Sequence, residues 1–138
     1  MASTAREVGD YVGIRYADKG RDEAKGLDCW GLLRLFYAEQ FGQHLPSHDE
    51  RYLSSDNRLE TCALARLEID RAWHQVLIPQ WGDAVVLNVL GRPFHVGICL
   101  ARPDFLHTLD PQQGAVIDSL RSPAWARRVE GYYRYQKD

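Results

Sequence analysis

Cys29 follows an aspartate directly and opens the apolar run Trp30-Gly31-Leu32-Leu33. Aspartate is a residue type that caps a helix start, and Asp28 can accept the N–H of Trp30 or Gly31. A thiol in the first helical position lies at the positive end of the helix dipole, beside N–H groups with no intrahelical partner. Both features favour the thiolate, which is the nucleophilic form. The charge of Asp28 partly opposes them, so a base or cation must arrive from elsewhere in the chain. Cys62 and Cys99 lie inside an apolar helical pattern and a strand pattern, where a cysteine packs as a small hydrophobe.

His95 is the candidate base. It begins the strand pattern 94–100, and an imidazole that titrates near neutrality can take a thiol proton and return it to a leaving amine. Gly97 shares its face two residues on, where the missing side chain lets a helix or a substrate come close. A register argument supplies the orienting residue. If strands 94–100 and 104–108 form a hairpin in which Leu100 pairs with Asp104, His107 falls opposite Gly97 and diagonally beside His95. A loop longer by one would turn His107 to the other face and put Asp110 opposite His95, so Asp110 stands as the substitute. The N–H of Cys29 is the expected oxyanion donor. Tyr16 or Tyr11 could add a phenolic one, and the residues alone do not choose between them. Together these groups point to a cysteine peptidase or amidase.

These side chains must be held by elements, and the chain supplies helices first and strands second. Residues 3–12 can form a short helix capped by Ser3 or Thr4, and glycine-rich 13–27 reads as a loop. The helix from Cys29 is apolar around most of its circumference, which predicts burial on more than one side and a stop at Phe41-Gly42. Residues 44–47 leave it extended, and a second helix is expected over roughly 57–71. Strand patterns follow at 73–78, 83–89, 94–100, 104–108, 115–118 and 129–135, punctuated by Gly and Pro. The expected class is α+β: one domain over residues 1–138, with N-terminal helices on one side of an antiparallel sheet of five to six strands.

Composition narrows the alternatives. Of 138 residues, 17 are basic and 19 acidic, for a net charge of −2, which leaves no electrostatic footprint for nucleic acid or an anionic lipid surface. No apolar run approaches the roughly 20 residues of a membrane span, and the N-terminus lacks the apolar stretch of a secretory signal. Three cysteines do not make a disulfide framework. His44 and His48 have metal-ligand spacing, but Pro46 between them argues against one helix face, so no metal or other cofactor is expected.

Four blocks in order then resemble the NlpC family of papain-like cell-wall peptidases. They are Gly26-Leu27-Asp28-Cys29-Trp30-Gly31-Leu32, Gly82-Asp83-Ala84-Val85, His95-Val96-Gly97-Ile98 and Leu106-His107. The tryptophan after the cysteine and the ending Glu130-Gly131-Tyr132-Tyr133-Arg134 are similar to the phage tail-tip branch. The resemblance spans roughly residues 8–135. It implies a papain-like fold, Cys29 as nucleophile, His95 as base, His107 as orienting residue and Tyr16 beside the thiol. It further implies a peptidoglycan stem peptide as substrate, often cut between D-γ-glutamate and diaminopimelate or lysine. The partners would be phage tail-tip proteins, and the location a virion tail tip or, during assembly, the host cytoplasm. Ala17-Asp18-Lys19-Gly20 departs from the paired glycines common in relatives, which bears on the Tyr16 loop. Rival readings are a silent tail-assembly module and a papain-like amidase or acyltransferase.

Overall fold

A computed structural model describes residues 6–46, 68–89 and 92–136. The helix expected over 3–12 is replaced, in its described part, by a single 3-10 turn at Val8–Tyr11. Glu7 before the turn is extended, and Gly13 beyond it takes a positive φ of 94°, so the segment has no room for an α-helix. Ser3 and Thr4 lie outside the described residues. The loop that follows contains a small ladder, β1 (Arg21–Asp22) against β2 (Gly26–Leu27).

Helix α1 spans Cys29–Phe41. Asp28 caps it by accepting the Gly31 N–H at 2.7 Å, and Gly42 closes it in a left-handed turn, both at the expected positions. Trp30, Leu32, Leu33, Phe36 and Tyr37 are all buried, so the helix is enclosed on more than one side. The Trp30 indole donates to the Pro46 carbonyl at 2.8 Å, and the Arg34 Nε to the Leu45 carbonyl at 2.9 Å, which ties the extended exit segment back to the helix. Of the second expected helix only the end is described, and residues 68–72 are helical. The rest of it, including Cys62, lies outside the described residues. No described helix is long and apolar enough to cross a membrane.

Six strands form one antiparallel sheet in the order β3-β8-β4-β5-β6-β7. They are β3 (Trp73–Val76), β4 (Ala84–Val89), β5 (Arg92–Cys99), β6 (Asp104–Thr108), β7 (Ala115–Ser119) and β8 (Val129–Tyr135). β3 stops two residues short of the expected Ile78. Pro79 has no N–H to extend the ladder, and Leu77 and Ile78 turn outward, 92% and 70% exposed.

Period-two alternation sorts the sheet into two apolar faces. Ala84, Val86, Val96, Ile98 and Leu106 pack with the buried face of α1. Val85, Leu87, Cys99 and Phe105 form a second cluster on the other face, packed against Leu120 and Trp125 of the β7–β8 connection and against Val129 and Tyr132 of β8. At the start of β4, Asp83 accepts both the Nε and an Nη of Arg134 at 2.9 and 2.8 Å, and also the Gln80 N–H at 2.7 Å. The Gly-Asp turn is thereby bolted to β8.

Candidate active site

Two anchors orient α1 relative to the strands. At its C-terminal end the Tyr37 hydroxyl donates to the Gly82 carbonyl, and the Gly82 N–H reaches the Cys99 carbonyl at 2.8 Å, where β5 ends. Before its N-terminal end, the Leu27 N–H bonds the Arg15 carbonyl, and the Ala115 N–H bonds the Ile14 carbonyl. Ala115 opens β7 opposite Thr108, the last residue of β6. Cys29 therefore lies at the end of the sheet where β5 begins, β6 ends and β7 begins, which is the end that carries His95 and His107.

The first turn of α1 presents N–H groups ahead of the helical ladder. Leu32 makes the first intrahelical bond, to the Asp28 carbonyl at 2.9 Å, so the Cys29 and Trp30 N–H groups precede the ladder. Cys29 is half-buried and in no disulfide. The charge of Asp28, which on sequence grounds opposes the thiolate, is countered by Arg21. Its Nη1 lies 2.6 Å from Asp28 Oδ1 and also donates to the Gly20 carbonyl at 2.8 Å. Burial still pushes the Asp28 carboxyl above its ordinary range, against the pull of Arg21 and the Gly31 N–H. Gly31 permits this closeness: a Cβ there would sit 2.2 Å from the Gly20 carbonyl oxygen.

Tyr16 is buried and forms a bridge to Leu27, two residues before the thiol. Its hydroxyl donates to Asp18 Oδ1 at 2.7 Å, two residues on in the same loop. Tyr11 is fully buried, its hydroxyl donating to Glu39 at 2.8 Å.

His95 and His107 meet. Ile98 pairs with Leu106 and Cys99 with Phe105, the register in which His107 faces Gly97. His95 Nε2 is 2.9 Å from His107 Nδ1, and His107 Nε2 is 2.7 Å from Asp118 Oδ2. Both rings are buried, at 0% and 2% exposure. The atoms nearest the open side of Gly97 belong to the neighbouring strand β6. A Cβ there would lie 2.8 Å from Phe105 Cδ2 and 3.3 Å from His107 Cβ, so the glycine makes room for the neighbouring strand's own site residues. Asp110 does other work, its carboxylate accepting the Gln112 N–H at 2.9 Å in the β6–β7 turn.

Aromatic rings enclose the pair. Phe105 stacks on His107 at 4.3 Å between centroids, and Trp125 meets His107 edge-on at 4.9 Å and lies roughly parallel to His95 at 6.0 Å. Burial here pushes the His107 pKa below its ordinary value, while Asp118 pushes it up. Sequence reasoning missed Arg21, Asp118 and Trp125. Asp118 had one available signal: it ends an alternating strand next to the histidine strand, but its partner depends on how a six-residue turn closes.

Residues 13–134 match the NlpC/P60 family. The chain is 26% identical over 124 residues to the murein DD-endopeptidase MepS/murein LD-carboxypeptidase of Escherichia coli K12, covering 88% of this chain. It spans only 56% of that curated relative's length. Among solved structures, the NlpC/p60 domain of the peptidoglycan hydrolase SagA aligns with a TM-score of 0.60 at 20% identity, over 91% of both chains. An NLP/P60 family protein similar to lipoprotein from Staphylococcus aureus subsp. aureus Mu50 aligns with a TM-score of 0.66 at 24% identity, over 94% of this chain and 39% of that one. An NlpC/P60 family protein from Bacillus cereus ATCC 10987 gives 0.65 at 18% identity, over 92% and 37%. At these identities the structural matches speak to the fold, which is the α+β arrangement expected.

Proposed function

The chain belongs to the NlpC/P60 family, and from that premise we propose that it is a cysteine peptidase of peptidoglycan stem peptides. In this reading Cys29 is the nucleophile, His95 the base and His107 the residue that orients it. The observation that carries it is the His95–His107 pair at 2.9 Å, buried at the end of the sheet that also holds the start of α1.

The reaction follows from those positions. His95 Nδ1 takes the thiol proton, and the sulfur attacks the scissile carbonyl carbon. Negative charge then develops on the carbonyl oxygen, where the Cys29 N–H and the dipole of α1 stabilise it, with the Tyr16 hydroxyl as a second donor once it leaves Asp18. His95 returns the proton to the departing amine, leaving an acyl-thioester on Cys29. Water, deprotonated by His95, cleaves the thioester and releases a free carboxylate. No cofactor enters this sequence.

The test is digestion of purified sacculi by the wild-type chain and by Cys29→Ala, read by mass spectrometry of the released muropeptides. Release by the wild type alone is expected, and equal release by both would sink the mechanism. The same reading places the protein with phage tail-tip proteins, on a virion tail tip or in the host cytoplasm during assembly. Its support is Trp30 after the nucleophile and the Glu130–Arg134 ending. Co-purification with assembled tails tests that placement, and absence from them overturns it.

A further inference from the structure

We propose that Asp118 is a positioning residue that sets the proton arrangement of both histidines, extending the site to a fourth residue on β7; this rests on the peptidase reading above. Asp118 stands opposite Phe105 in the β6–β7 ladder, so its side chain shares the face of His107. Its Oδ2 lies 2.7 Å from His107 Nε2.

An ionised carboxylate only accepts hydrogen bonds, so His107 Nε2 carries the proton on that side. A neutral His107 then has a lone pair at Nδ1. At 2.9 Å that lone pair selects the His95 tautomer with its proton on Nε2. The second nitrogen of His95, the buried Nδ1, is thereby left as the basic one. One carboxylate on β7 thus decides, two rings away, which nitrogen can receive a thiol proton. No proton travels along the chain. When His95 Nδ1 is protonated, its Nε2–H bond to His107 strengthens and Asp118 steadies the added positive charge.

The surroundings make this influence specific. His107 is buried between Phe105 and Trp125, and among the described residues Asp118 is the charged group that acts on it. The Asp118 side chain itself is 41% exposed, so the pair adds little to stability and its effect falls on orientation.

The experiment uses the full chain with Asp118→Asn and Asp118→Glu. An asparagine amide offers a donor as readily as an acceptor, and can hold the wrong tautomer. Asp118→Asn is expected to lose roughly 10²-fold in kcat on muropeptides, within the range of general acid–base effects, with KM little changed. Asp118→Glu should restore most of the rate. Nitrogen-15 shifts of the wild-type histidines should show protonated Nε2 and bare Nδ1 on His107 at neutral pH, a result that needs no variant to fold. Iodoacetamide capture of Cys29 should slow in Asp118→Asn. A wild-type His107 protonated on Nδ1, or a folded Asp118→Asn with unchanged kcat, overturns the proposal. If the wild type cuts no peptidoglycan, the peptidase reading fails, while the tautomer and alkylation measurements still decide the role of Asp118.

Discussion

Arg21 supplies what Asp28 by itself would take away. A capping carboxylate beside a thiol discourages the thiolate, and the buried Arg21 guanidinium at 2.6 Å compensates that charge without removing the cap. Arg21→Ala is expected to slow iodoacetamide labelling of Cys29 severalfold at neutral pH; an unchanged rate would show that Asp28 is not the opposing charge. In the wild type, Cys29 should label well before Cys99, which is buried and whose pKa is pushed up to about 12. His107 makes a second residue-scale prediction. Its folded pKa lies below the ordinary 6.5, so below that value the unfolded chain binds the proton and the folded one resists it. Stability contributed by His107 is complete above pH 6.5 and falls as pH drops toward the folded pKa. Urea unfolding between about pH 5.5 and 7.5 should show this slope, and His107→Gln should flatten it.

At the level of elements, α1 and the β5–β6 hairpin have separable duties. Phe36 lies at the centre of the helix's buried face and is fully enclosed. Phe36→Ala should cost about 3–5 kcal/mol in chemical denaturation while leaving the histidine pair in register. Gly97→Ala should behave differently. Its Cβ would press on Phe105 and His107, so about 1–3 kcal/mol of stability is lost together with activity at temperatures where the variant remains folded. Full activity in a folded Gly97→Ala would mean that the pair tolerates displacement.

For the whole molecule, the strand order puts the sheet's centre, β4 and β5, between two apolar layers, α1 on one face and the β7–β8 connection on the other. The proposed site would draw Cys29 from the start of α1 and the histidine pair from β5 and β6. Neither layer can separate without exposing the central strands, so calorimetry of the full chain should show one cooperative transition. Two resolved transitions would contradict the single-domain reading.

Much of this was legible in the residues because it is local. A cap one residue before the helix and a terminal glycine depend on neighbours in sequence, so Asp28 and Gly42 could be read directly. The short β5–β6 hairpin narrowed its register to two choices, and the observed pairing of Ile98 with Leu106 selects the one that favours His107 over Asp110. The tertiary structure alone decided Arg21, Asp118 and Trp125, along with the place of β8 between β3 and β4. Each of those depends on how a long loop or a distant strand closes in space, and side-chain chemistry along the chain does not encode that closure residue by residue.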